Sequence, residues 1–192
     1  MFVYGPAMPF ADRLGRLLPV PHLSGGRNVV KDAWNLLSRL PGGRVLFSRL
    51  VGRMAPYTGS IGATVTALRA GRSEVELHDR RAVRNHLDCV HAIALANLAE
   101  LAGNIALAYS LPDDARFIVG GLEIEYTKKA RGTIVATGEC PVPQTSVRAA
   151  IDVPVILRDA SGDQVAKAVL HSIVGPRQAA PGSRSSDRRD VN

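Results

Sequence analysis

The hydrophobic residues near the start of the chain recur at helical spacing. Residues 29–40, VVKDAWNLLSRL, follow Asn28, a residue type that favours helix N-caps, and they end before a Pro-Gly-Gly sequence. A second short helix is predicted over Val45–Met54. Residues 1–26 are instead broken by four prolines and a Gly-Gly pair, so we expect an irregular segment there with one short amphipathic turn near residues 11–18.

Further along, β-type alternation flanks one long apolar helix. Runs over Ile61–Leu68 and Glu74–His78 lie on either side of a tight turn at Gly71, which predicts a β-hairpin. Residues 88–109, DCVHAIALANLAELAGNIALAY, are apolar on most faces, which is typical of a helix buried on several sides. Asp88 is the expected N-cap of this helix.

Four β-rich runs follow the long helix, and turn-forming sequences separate them. The runs are Phe117–Thr127, Gly132–Cys140, Arg148–Leu157 and Gln164–Val174. This order predicts an α+β fold in which an antiparallel sheet wraps around a long central helix, with extra N-terminal helices. We divide the chain into an N-terminal irregular segment with helices (1–56), the sheet-and-helix domain (57–175) and a disordered tail (176–192).

Composition excludes few functions, but it narrows the choice of partner. The 192 residues are 46% hydrophobic and 21% charged, as in a globular protein of one domain. The net charge of +7 is spread without a block of like charges, and aromatic residues make up only 5%. A nucleic-acid partner is therefore not expected, whereas a phosphorylated small molecule accounts for the sign of the charge.

The remaining compositional signals concern location. Glu100 and Asn104 interrupt the most apolar segment, so we expect no membrane span. The first residues lack the pattern of a signal peptide, and Cys89 and Cys140 lack metal-binding or disulfide-framework spacing. These features predict a cytoplasmic protein with reduced thiols.

The long helix carries a carboxylate at a position where its periodicity predicts core. Glu100 shares a helix face with Asn97 and Asn104, and a glutamate buried without a partner is costly, which indicates a functional role. The alternative is that these three residues form the one solvated stripe of the helix, and periodicity alone slightly favours it. His91 lies nine residues earlier, so it is on the opposite side of the helix and about 13 Å from Glu100 along the axis. One substrate can meet both residues only where the antiparallel helices of a dimer lie side by side.

Residues 85–100 resemble the motif of HGG-type hotdog acyl-CoA thioesterases, especially a PaaI-like bacterial branch with the motif N-x5-H-A-x-A-L-x-N-L-A-E. The resemblance is clearest over residues 60–175. It implies the hotdog fold, hydrolysis of an acyl-CoA thioester, and a homodimer or a dimer of dimers. Coenzyme A would be part of the substrate, with no separate cofactor and no metal.

The resemblance also implies roles for individual residues. Glu100, contributed by the opposite subunit, would be the nucleophile or general base, and Ala92 would donate its backbone N–H to the thioester carbonyl. Asn85 would help to place the thioester, and we expect His91 to fix the start of the helix by hydrogen bonding.

The turn between the predicted strands Phe117–Thr127 and Gly132–Cys140 is a further candidate binding site. Lys128, Lys129 and Arg131 lie where members of the family often meet the coenzyme A phosphates, although an ordinary solvated turn explains them equally well. The remaining histidines have no partners at metal-ligand spacing. We expect Trp34 to pack within the N-terminal helices.

Two departures from the family pattern keep a second function open. The sequence His91-Ala92-Ile93 replaces His-Gly-Gly and adds side-chain bulk, and the residues Phe117-Ile118-Val119 lack the hydroxyl that some members carry. The alternative function is a catalytically silent hotdog module that binds acyl-CoA or a fatty acid. A hotdog dehydratase or hydratase ranks third, because its arrangement of histidine and acid is not found here.

Overall fold

The structure is a computed structural model that describes residues 27–177. The amphipathic turn predicted near residues 11–18 and residues 178–192 of the predicted tail lie outside the described residues. The helices are α1 (Val29–Leu37), α2 (Gly43–Met54), α3 (Pro56–Gly59) and α4 (Ala92–Ser110). The strands are β1 (Thr64–Arg69), β2 (Arg72–Leu77), β3 (Ala115–Tyr126), β4 (Ile134–Glu139), β5 (Ala149–Arg158) and β6 (Gln164–Pro176), and a 3-10 turn spans Arg81–Val83.

All six strands form one antiparallel sheet, in the order β1-β2-β4-β5-β6-β3. Helix α4 contacts every strand of this sheet, so the core lies between the helix and one sheet face. Leu98 and Leu107 of α4 are fully buried together with alternate strand residues such as Leu77, Leu157 and Leu170. The predicted α+β hotdog arrangement, with a sheet wrapped on a long central helix, is confirmed.

Small residues let α4 lie close to the sheet. The Ser73 hydroxyl of β2 donates to the Ala102 carbonyl of α4 at 2.7 Å. A Cβ at Gly138 of β4 would lie 2.7 Å from the same carbonyl oxygen, and one at Gly103 would lie 2.8 Å from the Leu170 side chain. These contacts leave no space for a larger side chain, and they therefore fix the position of α4 on the sheet.

The N-terminal helices pack on the side of α4 that the sheet leaves open. Trp34 of α1 meets Phe47 of α2 edge to face with ring centroids 5.0 Å apart, which confirms its predicted packing role. Asn28 is the predicted N-cap of α1, and its Nδ2 also donates to the carbonyls of Ala108 and Leu111 at the end of α4. One buried side chain thus joins the start of α1 to the end of α4.

Two local predictions were wrong. Asp88 does not cap the long helix: it has a left-handed φ of 51° in the preceding turn, and α4 begins at Ala92 with His91 as its N-cap. Helix α1 ends at Leu37 instead of continuing to residue 40, because the chain turns there towards α2.

By length and composition alone α4 could cross a membrane, but 61% of its most apolar stretch is buried within the described domain, as in the core helix of a soluble protein.

The two edges of the sheet differ in how they are covered. At the β1 edge, the Ser48 hydroxyl of α2 accepts a hydrogen bond from the Val65 N–H at 2.8 Å. At the other edge, no strand or helix within residues 27–177 pairs with the outer side of β3. β3 has 12 residues and exposes apolar side chains such as Ile118 (68%) and Leu122 (37%). A long apolar edge of this kind favours pairing with another strand.

Candidate active site

The start of α4 is held by a capped turn. The His91 Nδ1 accepts a hydrogen bond from the Ile93 N–H at 3.0 Å, which is the hydrogen bond predicted for this histidine. One turn earlier, the Asn85 Oδ1 accepts from the N–H groups of Leu87 (2.9 Å) and Cys89 (3.4 Å). Asn85 therefore shapes the loop that leads into the helix, and its carbonyl oxygen is engaged with that loop.

Ala92 is the first helical residue, so its N–H lies outside the intrahelical hydrogen bonds. This N–H has no acceptor among residues 27–177. The Ala92 carbonyl accepts from the Tyr126 hydroxyl at 2.9 Å, and burial raises the pKa of Tyr126, which keeps that phenol protonated. A free N–H at the positive end of the helix is suited to stabilise a developing oxyanion.

Asp79 joins the two loops that border the start of α4. Its carboxylate accepts from the Arg84 Nε at 2.6 Å and from the Gly132 N–H at 2.9 Å, and its side chain is 8% exposed. The hydrogen bond from Arg84 outweighs desolvation and, with the Gly132 N–H, holds the pKa of Asp79 below its usual value. The loop before α4 and the β3–β4 loop are thus fixed relative to each other.

The predicted phosphate-binding residues lie in this β3–β4 loop, but they differ in their partners. The Ala130 carbonyl accepts from the Val90 N–H at 2.9 Å, so Lys129 and Arg131 flank a direct contact with the start of α4. Lys128 instead contacts Asp159 at 2.9 Å and Asp163 at 2.5 Å. Two of the three cations therefore lie beside the Ala92 end of the helix, while the third is engaged with carboxylates.

Glu100 lies on a stripe of α4 that the rest of the chain covers only in part. The half-buried residues of this stripe recur every fourth position: Ala92, Ala96, Glu100, Asn104 and Ala108. Glu100 has no hydrogen bond or ion pair within residues 27–177. Of the three residues of the alternative solvated stripe, Glu100 and Asn104 are partly exposed, whereas Asn97 is 5% exposed and donates to the Tyr57 carbonyl of α3 at 3.1 Å.

The chain alone brings only part of the predicted site together. Asn85, His91 and Ala92 meet at one end of α4, next to the β3–β4 loop. Glu100 is eight residues further on, which is about 12 Å along the helix axis. Strand β3 leaves the end of α4, and its last residue, Tyr126, contacts Ala92, the first residue of the half-buried stripe.

Comparison with known proteins shows the family. Residues 43–174 match the family described as "Domain of unknown function (DUF4442)". The chain belongs to this family. No curated protein sequence matches it. A structural genomics protein, APC5556, is 31% identical with a TM-score of 0.67, and the match covers 77% of this chain and 99% of that one.

Two further solved structures share the fold of this DUF4442 protein at lower identity. A protein of unknown function from Pseudomonas aeruginosa, PA5026, described as a probable thioesterase, is 20% identical with a TM-score of 0.63, covering 72% of this chain and 97% of its own. The protein smu.793 from Streptococcus mutans, solved with acetyl-CoA bound, is 19% identical with a TM-score of 0.51, covering 59% and 90%. At these identities the likeness shows the hotdog fold.

The sequence analysis missed two residues that organise the site of this DUF4442 protein. Tyr126 holds the end of β3 against the first turn of α4, and Asp79 joins the two neighbouring loops. Neither stands in a recognisable motif, and their partners lie 34 and 53 residues away in the chain. Such contacts depend on the sheet order and are not visible in local periodicity.

Outside this site, the titratable clusters of the DUF4442 domain are on the surface. His171 lies between Asp152 (2.7 Å) and Glu123 (3.4 Å) on the outer sheet face, and the hydrogen bond to Asp152 raises its pKa. Within residues 27–177, no group of three histidine, cysteine or acidic side chains could hold a metal ion. Cys89 and Cys140 are both free thiols.

Replacing Asp79 with Asn is expected to reduce the loss of the free energy of unfolding as the pH falls into the acid range. The folded-state pKa lies below 3.8, so the ionised carboxylate contributes stability above that pH and loses it as the pH falls through the lower folded pKa. The wild type should therefore lose more free energy of unfolding than Asp79→Asn between about pH 6 and about pH 3. Urea denaturation at both pH values measures this, and equal losses in the two proteins would contradict the role given to Asp79.

Proposed function

We propose that this protein hydrolyses an acyl-CoA thioester to a carboxylic acid and coenzyme A, at a site shared by two copies of the chain. The observation that supports it best is the position of Glu100. The residue is half-buried and has no hydrogen-bond or ion-pair partner within residues 27–177, on the stripe of α4 that begins at Ala92, next to the last residue of the uncovered strand β3. A glutamate that is partly buried and has no partner within its own chain is suited to act on a bound thioester.

The proposal requires a homodimer, and the β3 edge supports one. Pairing of two β3 strands about a dyad would continue the sheet across both protomers and cover the exposed apolar edge. Because β3 runs antiparallel to α4, the same dyad sets the two α4 helices side by side in opposite directions. The Ala92 end of one helix then approaches the Glu100 region of the other, which removes the separation of about 12 Å within one chain.

Each residue of the shared site has a chemical task in this proposal. The Ala92 N–H of one protomer stabilises the thioester oxygen as it becomes negative, and Asn85 keeps the loop before it in place. Glu100 of the other protomer either attacks the carbonyl carbon or takes a proton from an attacking water. If Glu100 attacks, the carbon–sulfur bond breaks as the thiolate leaves, and water then hydrolyses the mixed anhydride, which releases the acid and restores the Glu100 carboxylate. If Glu100 acts as the base, the water oxygen bonds to the carbonyl carbon, the carbon–sulfur bond breaks, and the proton taken by Glu100 passes to the leaving thiolate of coenzyme A.

In this proposal the coenzyme A end of the substrate binds at the β3–β4 loop. Lys129 and Arg131 flank the contact between Ala130 and Val90, so an anion held there would lie next to the oxyanion-stabilising N–H. Lys128, which contacts two carboxylates, would support the loop instead. A PaaI-like assignment within the hotdog thioesterases is part of this proposal and rests on the motif over residues 85–100.

One observation favours the alternative of a non-catalytic module that binds acyl-CoA or a fatty acid. Ile93, which stands where the motif has its second glycine, is 54% exposed next to the Ala92 N–H. A branched side chain at this point narrows the approach to the N–H without removing the binding surface around it.

Purified full-length protein incubated with acyl-CoAs of short, medium and long chains tests the proposal. Thioester hydrolysis releases the free thiol of coenzyme A, which a thiol reagent follows continuously. We expect release above the uncatalysed rate for at least one chain length. Saturable binding of acyl-CoA without any thiol release would establish the alternative and exclude hydrolysis.

A further inference from the structure

A second candidate site lies on the other side of α4, where the N-terminal helices meet β1. A cavity of about 1150 Å³ opens between α2, α3 and the start of β1, and Leu101 of α4 lines its inner end. Ligand pockets usually have volumes of about 300–1,000 Å³, so this cavity, which we call the α2/α3 cleft, can take a molecule of that size. Nothing in the proposed hydrolysis uses it.

The walls of the α2/α3 cleft are held by a close helix contact. Gly52 of α2 and Gly59 of α3 approach so closely that a Cβ on Gly59 would lie 2.7 Å from the Gly52 Cα. At the far end, the Arg80 Nη2 donates to the Ile61 carbonyl at 2.8 Å and fixes the loop before β1. The cleft is therefore a defined feature of the fold and is not a gap between loosely packed helices.

The charge of the α2/α3 cleft is one-sided. Arg49, Arg53 and Arg80 line it, and no aspartate or glutamate is among its described lining residues. The Arg53 Nη1 is buried and has no hydrogen-bond partner within residues 27–177. An unpaired guanidinium nitrogen is costly in a protein interior, so an anion that pairs with it would be bound with a favourable free energy.

The rest of the lining is apolar enough for an aliphatic chain. Val51 and Val65 face the cleft together with Leu101, and Ala63 and Val45 extend the same surface. A ligand that satisfies both parts carries an anionic oxygen group and a hydrocarbon chain. An inorganic anion would leave the apolar surface uncovered, and a neutral chain would leave the Arg53 Nη1 without a partner.

We propose that the α2/α3 cleft binds an anionic amphiphile, with its carboxylate or phosphate on Arg53 and its neighbouring arginines and its chain against the valine and leucine surface. This site is separate from the proposed hydrolysis site that contains Glu100. Leu101 and Asn97 lie on the α4 face covered by α3, whereas Glu100 belongs to the half-buried stripe that begins at Ala92 and does not line the cleft. Binding in the cleft therefore does not depend on thioester hydrolysis.

Isothermal titration calorimetry with octanoate, octyl phosphate and octanol tests the proposal and separates the two kinds of anionic group. We expect octanoate or octyl phosphate to bind at least about tenfold more tightly than octanol, since a charged hydrogen bond contributes about that much. Arg53→Met keeps the aliphatic stem and should lower the affinity for the anion by about tenfold. Arg44→Met, which removes an exposed arginine of α2 outside the lining, should leave it unchanged.

Two further variants keep the test decisive. Should Arg53→Met lose its circular dichroism spectrum, Arg49→Met removes a second lining arginine and should show the same loss of affinity. Glu100→Ala should bind the anion as the wild type does. The proposal is overturned by tight octanol binding, by the absence of anion binding, or by affinity that depends on Glu100 and not on the arginines. The last result would place the ligand in the proposed hydrolysis site, at Glu100.

Discussion

Glu100→Ala is expected to lower kcat for acyl-CoA hydrolysis by about 10²–10⁴-fold, the usual contribution of a general base. Glu100 makes no hydrogen bond or ion pair within residues 27–177, so its removal should leave the melting temperature close to that of the wild type. Acyl-CoA binding should also persist, because the Ala92 N–H and the β3–β4 loop are unchanged. Thiol release and calorimetric titration measure these two properties separately.

Glu139→Ala is the matched control for this variant. Glu139 is an exposed glutamate of β4, away from the β3 edge, and it pairs with Arg72 on the surface, where such a pair contributes little. This variant should hydrolyse acyl-CoA at the wild-type rate. If Glu100→Ala also retained the full rate, Glu100 would have no part in the reaction and the proposed mechanism would be wrong.

Placing lysines on the β3 edge is expected to separate the protomers and abolish hydrolysis. In the double variant Ile118→Lys/Leu122→Lys, one lysine stands on each face of the strand, so paired β3 strands would bring like charges together. Both side chains are partly exposed, at 68% and 37%, so the protomer should still fold. Light scattering should show half the wild-type mass, and activity should fall as far as in Glu100→Ala.

The control for the edge variant places the same charges elsewhere. Val142 and Val147 lie between β4 and β5 and are 42% and 72% exposed. The double variant Val142→Lys/Val147→Lys should remain dimeric and active. An edge variant that is monomeric and fully active would show that one chain contains the whole site.

Much of the fold could be predicted from local patterns. The buried helix was visible because Ala and Leu fill residues 92–108 on most faces, and the hairpin because Gly71, with a φ of 77°, occupies a position that favours glycine. Asn28 was recognisable as a cap from its type and place. These features depend on neighbours in the sequence, which periodicity and residue preference describe well.

The structural features that could not be predicted from the sequence depend on contacts between distant elements. Asp88 was a reasonable N-cap by residue type, but Asn85 folds the preceding residues into a turn and His91 takes the cap position. Asn97 has the polarity of a surface residue, yet α3 buries it. Asp159 contacts Lys128 across 31 residues, so the loop's three cations were not distinguishable beforehand.

The candidate site was only partly predictable for the same reason. The motif placed Asn85, His91 and Ala92 correctly at one end of a helix, and it gave the spacing to Glu100. The uncovered β3 edge became evident only once the sheet order placed β3 last. That edge links the two halves of the site in our proposal, and periodicity within β3 does not indicate it.

The most direct measurement of the shared site is subunit complementation. Asn85→Ala and Glu100→Ala proteins, each inactive alone, are mixed under conditions of proven subunit exchange, and thiol release is followed. A site built from both protomers gives each mixed dimer one intact copy, so an equimolar mixture should recover about a quarter of wild-type activity. Verified mixed dimers that remain as inactive as their parents would show that Glu100 and the Asn85 loop do not act on one thioester across the interface.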